Sequence, residues 1–124
     1  MQDPGTLALL AYTQAWSAPD LDLARRLIAS CMAEACEIVG PGYCFVGRPA
    51  VLAEIERFHT QQPGAKAVVT SPIDRHGRWA RFTIALRAAD GRVVHEGWDI
   101  VELDAQDKVR RVITFWGALP STPL

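Results

Sequence analysis

Two rhythms of apolar positions divide the chain. From residue 3 to about 32, and again from 49 to about 62, apolar residues recur at helical spacing, as in Leu9, Tyr12 and Trp16 or Leu52, Ile55 and His59. The spacing predicts three helices, because Ser17-Ala18-Pro19-Asp20 interrupts the first stretch. Pro4, Pro19 and Pro49 each suit a first turn, where the missing N–H has no partner to lose. Between the second and third helices, residues 36–39 and 43–46 flank Gly40-Pro41-Gly42 and read as two short strands about a turn.

From Ala65 onward the period becomes two. Four strand-length runs, 67–73, 79–88, 93–103 and 109–116, are separated by Asp74-Arg75-His76-Gly77, Asp90-Gly91 and Asp104-Ala105-Gln106-Asp107, which are hairpin signals. Helices first and an antiparallel meander afterwards predict an α+β fold, three helices from the N-terminal half packed in a highly curved antiparallel sheet. On the third run His95, Gly97, Asp99, Val101 and Leu103 share one face, and Val94, Glu96, Trp98, Ile100 and Glu102 the other. A carboxylate among apolar neighbours costs several kcal/mol unless it is paired, hydrogen-bonded or protonated, so Asp99 needs either a partner or a chemical task. The second face still carries Trp98 and Ile100 beside Trp79, which predicts a homodimer through the outer side of the sheet.

Composition narrows the setting. With 124 residues, 49% hydrophobic and 22% charged, the chain fits one compact domain, expected over residues 1–119 with a flexible tail at 120–124. A net charge of -1 and a pI near 6.3 give no basic field for nucleic acid or anionic lipid. The apolar runs, such as residues 7–11, are far short of the roughly 20 residues of a membrane span, and no charged-then-apolar leader precedes them. A soluble, cytoplasmic protein is expected, with no nucleic-acid or membrane partner. Cys31, Cys36 and Cys44 lack the C-x-x-C spacing of zinc and redox sites and read as buried apolar thiols, so no metal and no cofactor is expected. Gly40-Pro41-Gly42 lacks the spacing and the strand-to-helix setting of a phosphate cradle.

The order of elements and three local strings resemble the nuclear-transport-factor-2-like superfamily, in particular its SnoaL-like and ketosteroid-isomerase-like branch. The strings are AYTQAWSAPDLD at residues 11–22, GRPAV at 47–51 and WDIVELDAQDKVRRVITFWG at 98–117. The resemblance spans nearly the whole chain. It implies a cone-shaped, cystatin-like α+β fold whose curved sheet wraps a helix, an apolar pocket at the wide end, and dimers through the outer sheet face.

Two positions match the oxyanion hole of the ketosteroid isomerases. Tyr12 lies eight residues before Asp20-Leu21-Asp22, where those enzymes place a tyrosine, and Asp99 eighteen before Gly117, where they place an aspartic acid. In that relative an apolar site keeps the acid neutral so that it donates a hydrogen bond beside a phenol; ketosteroid isomerase is a standard example of the effect. By this resemblance Asp99 is expected to be protonated at neutral pH. The first-strand aspartate that serves those enzymes as base is absent, since residues 37–42 offer Val39 or Gly40 at its place and Glu37 is the nearest carboxylate. Gly97 stands where the superfamily's epoxide hydrolases need an arginine, which argues against that activity.

Tyr12, Asp99 and His95 are therefore the catalytic candidates, and Trp16, His59, Val112, Thr114 and Trp116 the candidate lining. Blander readings stand beside them. Tyr12 could be a core residue with a backbone partner, Asp99 a carboxylate paired with Arg110 or Arg111, His95 a wet strand edge, and His59 or His76 a solvent-facing group. Two functions remain open: an isomerase, cyclase or dehydratase of a steroid, terpenoid or polyketide-like carbonyl compound, or a non-catalytic small-ligand-binding or dimerisation domain of the same fold.

Overall fold

The computed structural model describes residues 3–117; the tail expected at 120–124 lies outside them. Aspartates start the first two helices. Asp3 caps α1 (Pro4–Trp16), its carboxylate accepting from the Thr6 N–H at 3.0 Å, and Asp20 caps α2 (Leu21–Cys31), accepting from the Leu23 N–H at 2.8 Å. Pro19 thus stands before a cap instead of inside the first turn, because the short side chain of Asp20 closes that turn. α3 (Arg48–Gln61) follows Gly47 with Pro49 in its first turn and no side-chain cap. Arg48 reaches back to the Met32 carbonyl through Nε at 3.0 Å and Nη2 at 2.6 Å, which fixes the start of α3 to the strand after α2.

The strands are β1 (Met32–Gly40), β2 (Tyr43–Val46), β3 (Lys66–Val69), β4 (Asp74–His76), β5 (Trp79–Arg87), β6 (Val93–Leu103) and β7 (Val109–Trp116). They form one sheet in the order β2-β1-β7-β6-β5-β3, with β4 also on β5. Asp74-Arg75-His76, expected as a turn, is strand β4 opposite residues 79–81, and the reversal falls at the next two residues. The sheet is mixed, not wholly antiparallel, since β1 runs parallel to β7. Hairpin signals fix only neighbours in sequence, whereas β1 and β7 are joined by closure of the sheet's middle after the chain has visited both edges.

The inner face of the curved sheet holds the core. Phe82, Val101, Leu103 and Val112 meet Leu9 of α1, Ile28 of α2 and Val51 and Ile55 of α3, all fully buried. Each such side chain contributes roughly 1.5–3 kcal/mol of burial. Cys31 and Cys36 join this core, and burial pushes the Cys31 thiol up to about 12. Cys44 corrects the expectation of three buried thiols: it alternates outward between Tyr43 and Phe45 on edge strand β2 and is exposed. Two polar ties close the helix end of the domain. Ser17 Oγ donates to the Ala67 carbonyl and accepts the Ala67 N–H, binding the end of α1 to β3. His59 Nε2 on α3 meets the Trp16 carbonyl at 2.7 Å.

Candidate functional site

Strand pairing carries Asp99 to the inner face. It stands opposite Phe82 on β5 and Thr114 on β7, is 4% exposed, and accepts a hydrogen bond from Thr114 Oγ1 at 2.8 Å. The arginines that could have neutralised it point elsewhere. Arg110 and Arg111 lie on the outer side of the sheet, where their nitrogens stand 3.4 and 3.7 Å from the carboxylate of Glu102, with Arg78 at 3.9 Å. Arg111 also pairs with Glu37. The paired, buried carboxylate of this sheet is therefore Glu102, and Glu37 faces away from the inner side.

Burial raises Asp99 from the usual carboxylate range to about 6, with the Thr114 hydrogen bond pulling the other way. The shift runs toward the protonated form that the resemblance implies for Asp99. Tyr12 on α1, 4% exposed, is pushed well above the ordinary phenol value, first by burial and then by the nearby Asp99 charge. Its hydroxyl stays a donor.

These two groups line a cavity of about 290 Å³ between α1, α3 and the inner sheet face. Of the residues expected from sequence, the cavity brings together Tyr12, Trp16, His95, Asp99, Thr114 and Trp116. His95 lies in the exposed part of β6, its ring stacked on Trp116 with centroids 4.4 Å apart and planes 19° apart. Gly97 makes room for that stack, because a Cβ there would strike the Phe115 carbonyl and the Trp116 ring. The Trp16 indole N–H is buried without a hydrogen-bond partner. Trp16 and Trp116 form walls, while Trp98 is on the opposite face.

Two expected lining residues fall elsewhere. His59 holds the Trp16 carbonyl and borders a separate groove with Ser17, Asp20 and Lys66. Val112 is fully buried in the core, two residues along β7 from Thr114 on the same face. The sequence reading missed Tyr43 and Phe45 of β2, Ile84 and Leu86 of β5, and Glu54, Arg57, Phe58 and Gln61 of α3. The α3 group was legible in principle: positions 54, 57, 58 and 61 repeat at i, i+3, i+4 and i+7, the spacing of one helix face. Arg57 on that face is held by both oxygens of Glu54 and by Gln61 Oε1 at 3.1 Å. Among the described residues no cluster of His, Cys, Asp and Glu could hold a metal ion, and no helix is long and apolar enough to cross a membrane.

Three helices packed on one mixed sheet, with Asp99 and Tyr12 lining a cavity between them, are the architecture of the nuclear-transport-factor-2-like superfamily, as solved structures bear out. A provisionally named isomerase of the SnoaL-like family from Agrobacterium tumefaciens strain C58 superposes with a TM-score of 0.85 at 28% identity, over 93% of this chain and 98% of that one. A provisionally named SnoaL-like polyketide cyclase from Jannaschia sp. CCS1 follows at 0.74 and 13% identity, over 94% and 91% of the two chains. A protein of unknown function with a cystatin-like fold, from Methylobium petroleophilum PM1, gives 0.76 at 16% identity over 98% and 80%. No protein-family model matches the sequence, and no curated protein does.

Proposed function

We propose that the cavity takes a small hydrophobic carbonyl compound of polyketide, steroid or terpenoid type and that the protein turns it over as an isomerase, cyclase or dehydratase. The observation that carries this reading is a carboxyl group without a cation, opening with a phenol into one largely apolar cavity. Such a pair stabilises an enolate because its donors are aimed in advance at the oxygen where charge develops. Tyr12 supplies one donor. Asp99 supplies the other once protonated, and an enol brings that proton itself: ionised Asp99 with an enol and protonated Asp99 with an enolate hold the same protons. His95, in the exposed stretch of β6, is the group we assign to proton exchange with water.

A second reading, ligand binding without turnover, is favoured by one observation. Glu37, the carboxylate nearest the place of the first-strand base, is engaged by Arg111 on the outer side of the sheet. Titration with a fluorescent polycyclic phenol, an enolate mimic, tests the common core of both. Emission of a bound phenolate, or of a strongly hydrogen-bonded phenol, that weakens in Tyr12→Phe and Asp99→Leu supports the oxyanion hole. Binding indifferent to both substitutions refutes it.

We also propose a homodimer through the outer sheet face. Trp98 and Phe115 are cross-strand neighbours there, 41% and 56% exposed, and Trp79, 42% exposed, stands on the same face of β5. Adjacent large apolar side chains on a sheet face are a surface that a second copy would remove from water.

A further inference from the structure

Four aromatic side chains form one continuous wall of the cavity. Phe45 and Tyr43 stack with centroids 5.3 Å apart and planes 26° apart, His95 and Trp116 stack at 4.4 Å, and Trp116 Nε1–H donates to the Tyr43 hydroxyl oxygen at 3.1 Å to join the two stacks. Gly40 makes this possible. It shares the inner face of β1 with the cavity residue Ile38, and a Cβ on it would collide with Cζ and Oη of Tyr43. The phenol end of Tyr43 thus fills the space that a side chain at position 40 would take.

The hydrogen bond has a direction, because an indole nitrogen can only donate. Tyr43 oxygen is the acceptor, so the hydroxyl proton of Tyr43 is left to serve another acceptor. Tyr43 and Tyr12 line the same cavity. We propose that Tyr43 is a ligand-contacting residue, donating its O–H to an oxygen of a planar ring compound that lies along the aromatic wall. Resting on the reading of the cavity as a ligand site, this narrows the substrate class to flat, keto- or hydroxy-substituted rings. A saturated hydrocarbon body would leave the Tyr43 donor unanswered.

The test compares 2-naphthol with naphthalene, two flat probes that differ by one hydroxyl, by fluorescence titration of the wild-type protein and of Tyr43→Phe, Gly40→Ala and Tyr12→Phe. Wild type is expected to prefer 2-naphthol. Tyr43→Phe keeps the ring and should cut that preference about fivefold, the effect of one lost hydrogen bond, while naphthalene binding stays unchanged. Gly40→Ala, which displaces the phenol, should cut it as well. A preference that survives in Tyr43→Phe but falls in Tyr12→Phe overturns the Tyr43 role and leaves the oxyanion hole standing. No preference in wild type overturns both. Equal weakening of the two probes in Tyr43→Phe would make Tyr43 a wall residue only and also overturn the proposal.

Discussion

Replacing Asp99 with asparagine should stabilise this protein, and should do so only above the acid range. Asp99 is 4% exposed, and the hydrogen bond it accepts comes from Thr114 Oγ1. Its carboxyl rises from 3.8 to about 6. Each unit corresponds to 1.36 kcal/mol, so ionised Asp99 costs the folded state about 3 kcal/mol. The sign follows from proton counting. The folded chain binds the proton more tightly than the unfolded chain, so this group's favourable contribution is complete below about pH 3.8 and disappears as pH rises through about 6. Asparagine has no such titration and keeps the volume and an oxygen acceptor for Thr114. The stability difference, variant minus wild type, should therefore climb by about 2 kcal/mol between pH 4 and pH 8, the rest of the change lying below pH 4, less whatever local relaxation relieves. Urea unfolding followed by tryptophan fluorescence at unit pH steps measures it, and the other groups cancel in the difference. A difference that stays flat with pH would refute the reasoning. One that falls with rising pH would mean the carboxylate is favourably paired.

Two further substitutions probe the framework around the site. Gly97→Ala should destabilise the protein by about 1–3 kcal/mol in urea unfolding, since the new Cβ meets the Phe115 carbonyl, which belongs to a paired strand and cannot swing away; an unchanged midpoint would show that the β6–β7 contact is loose. Phe115→Asp on the outer face should convert a dimer to a monomer in size-exclusion chromatography with light scattering, while the phenol titration keeps its wild-type midpoint; a wild-type monomer would refute the dimer.

On the proposed function, the cost carried by Asp99 belongs to the site. A folded protein keeps a buried, cation-free carboxyl at the expense of stability where the group has work to do, and asparagine would be the cheaper residue otherwise. Glu102 makes the contrast within the same strand. It too is buried, yet three arginines surround it on the outer side, as expected of a carboxylate that serves structure.

Much of this was local, and so was written in the sequence. Helical spacing marked all three helices, period two marked β5, β6 and β7, and alternation along β6 put Asp99 among apolar residues before any fold was known. Each of those readings needs only the geometry of one segment. What the segments could not contain is how distant ones meet. The parallel pairing of β1 with β7, the turning of Arg110 and Arg111 to Glu102 instead of Asp99, and the capture of His59 by the Trp16 carbonyl all depend on sheet order and on helix placement. So does the cavity wall. Tyr43 looked like a strand residue beside a glycine turn, and only the closure of β1 against β7 set the Trp116 indole over it, with its phenol in the space that Gly40 leaves free. Periodicity is a property of the backbone path and can be read along a line; a site is made of contacts across the fold, whose energies are settled only when the core packs.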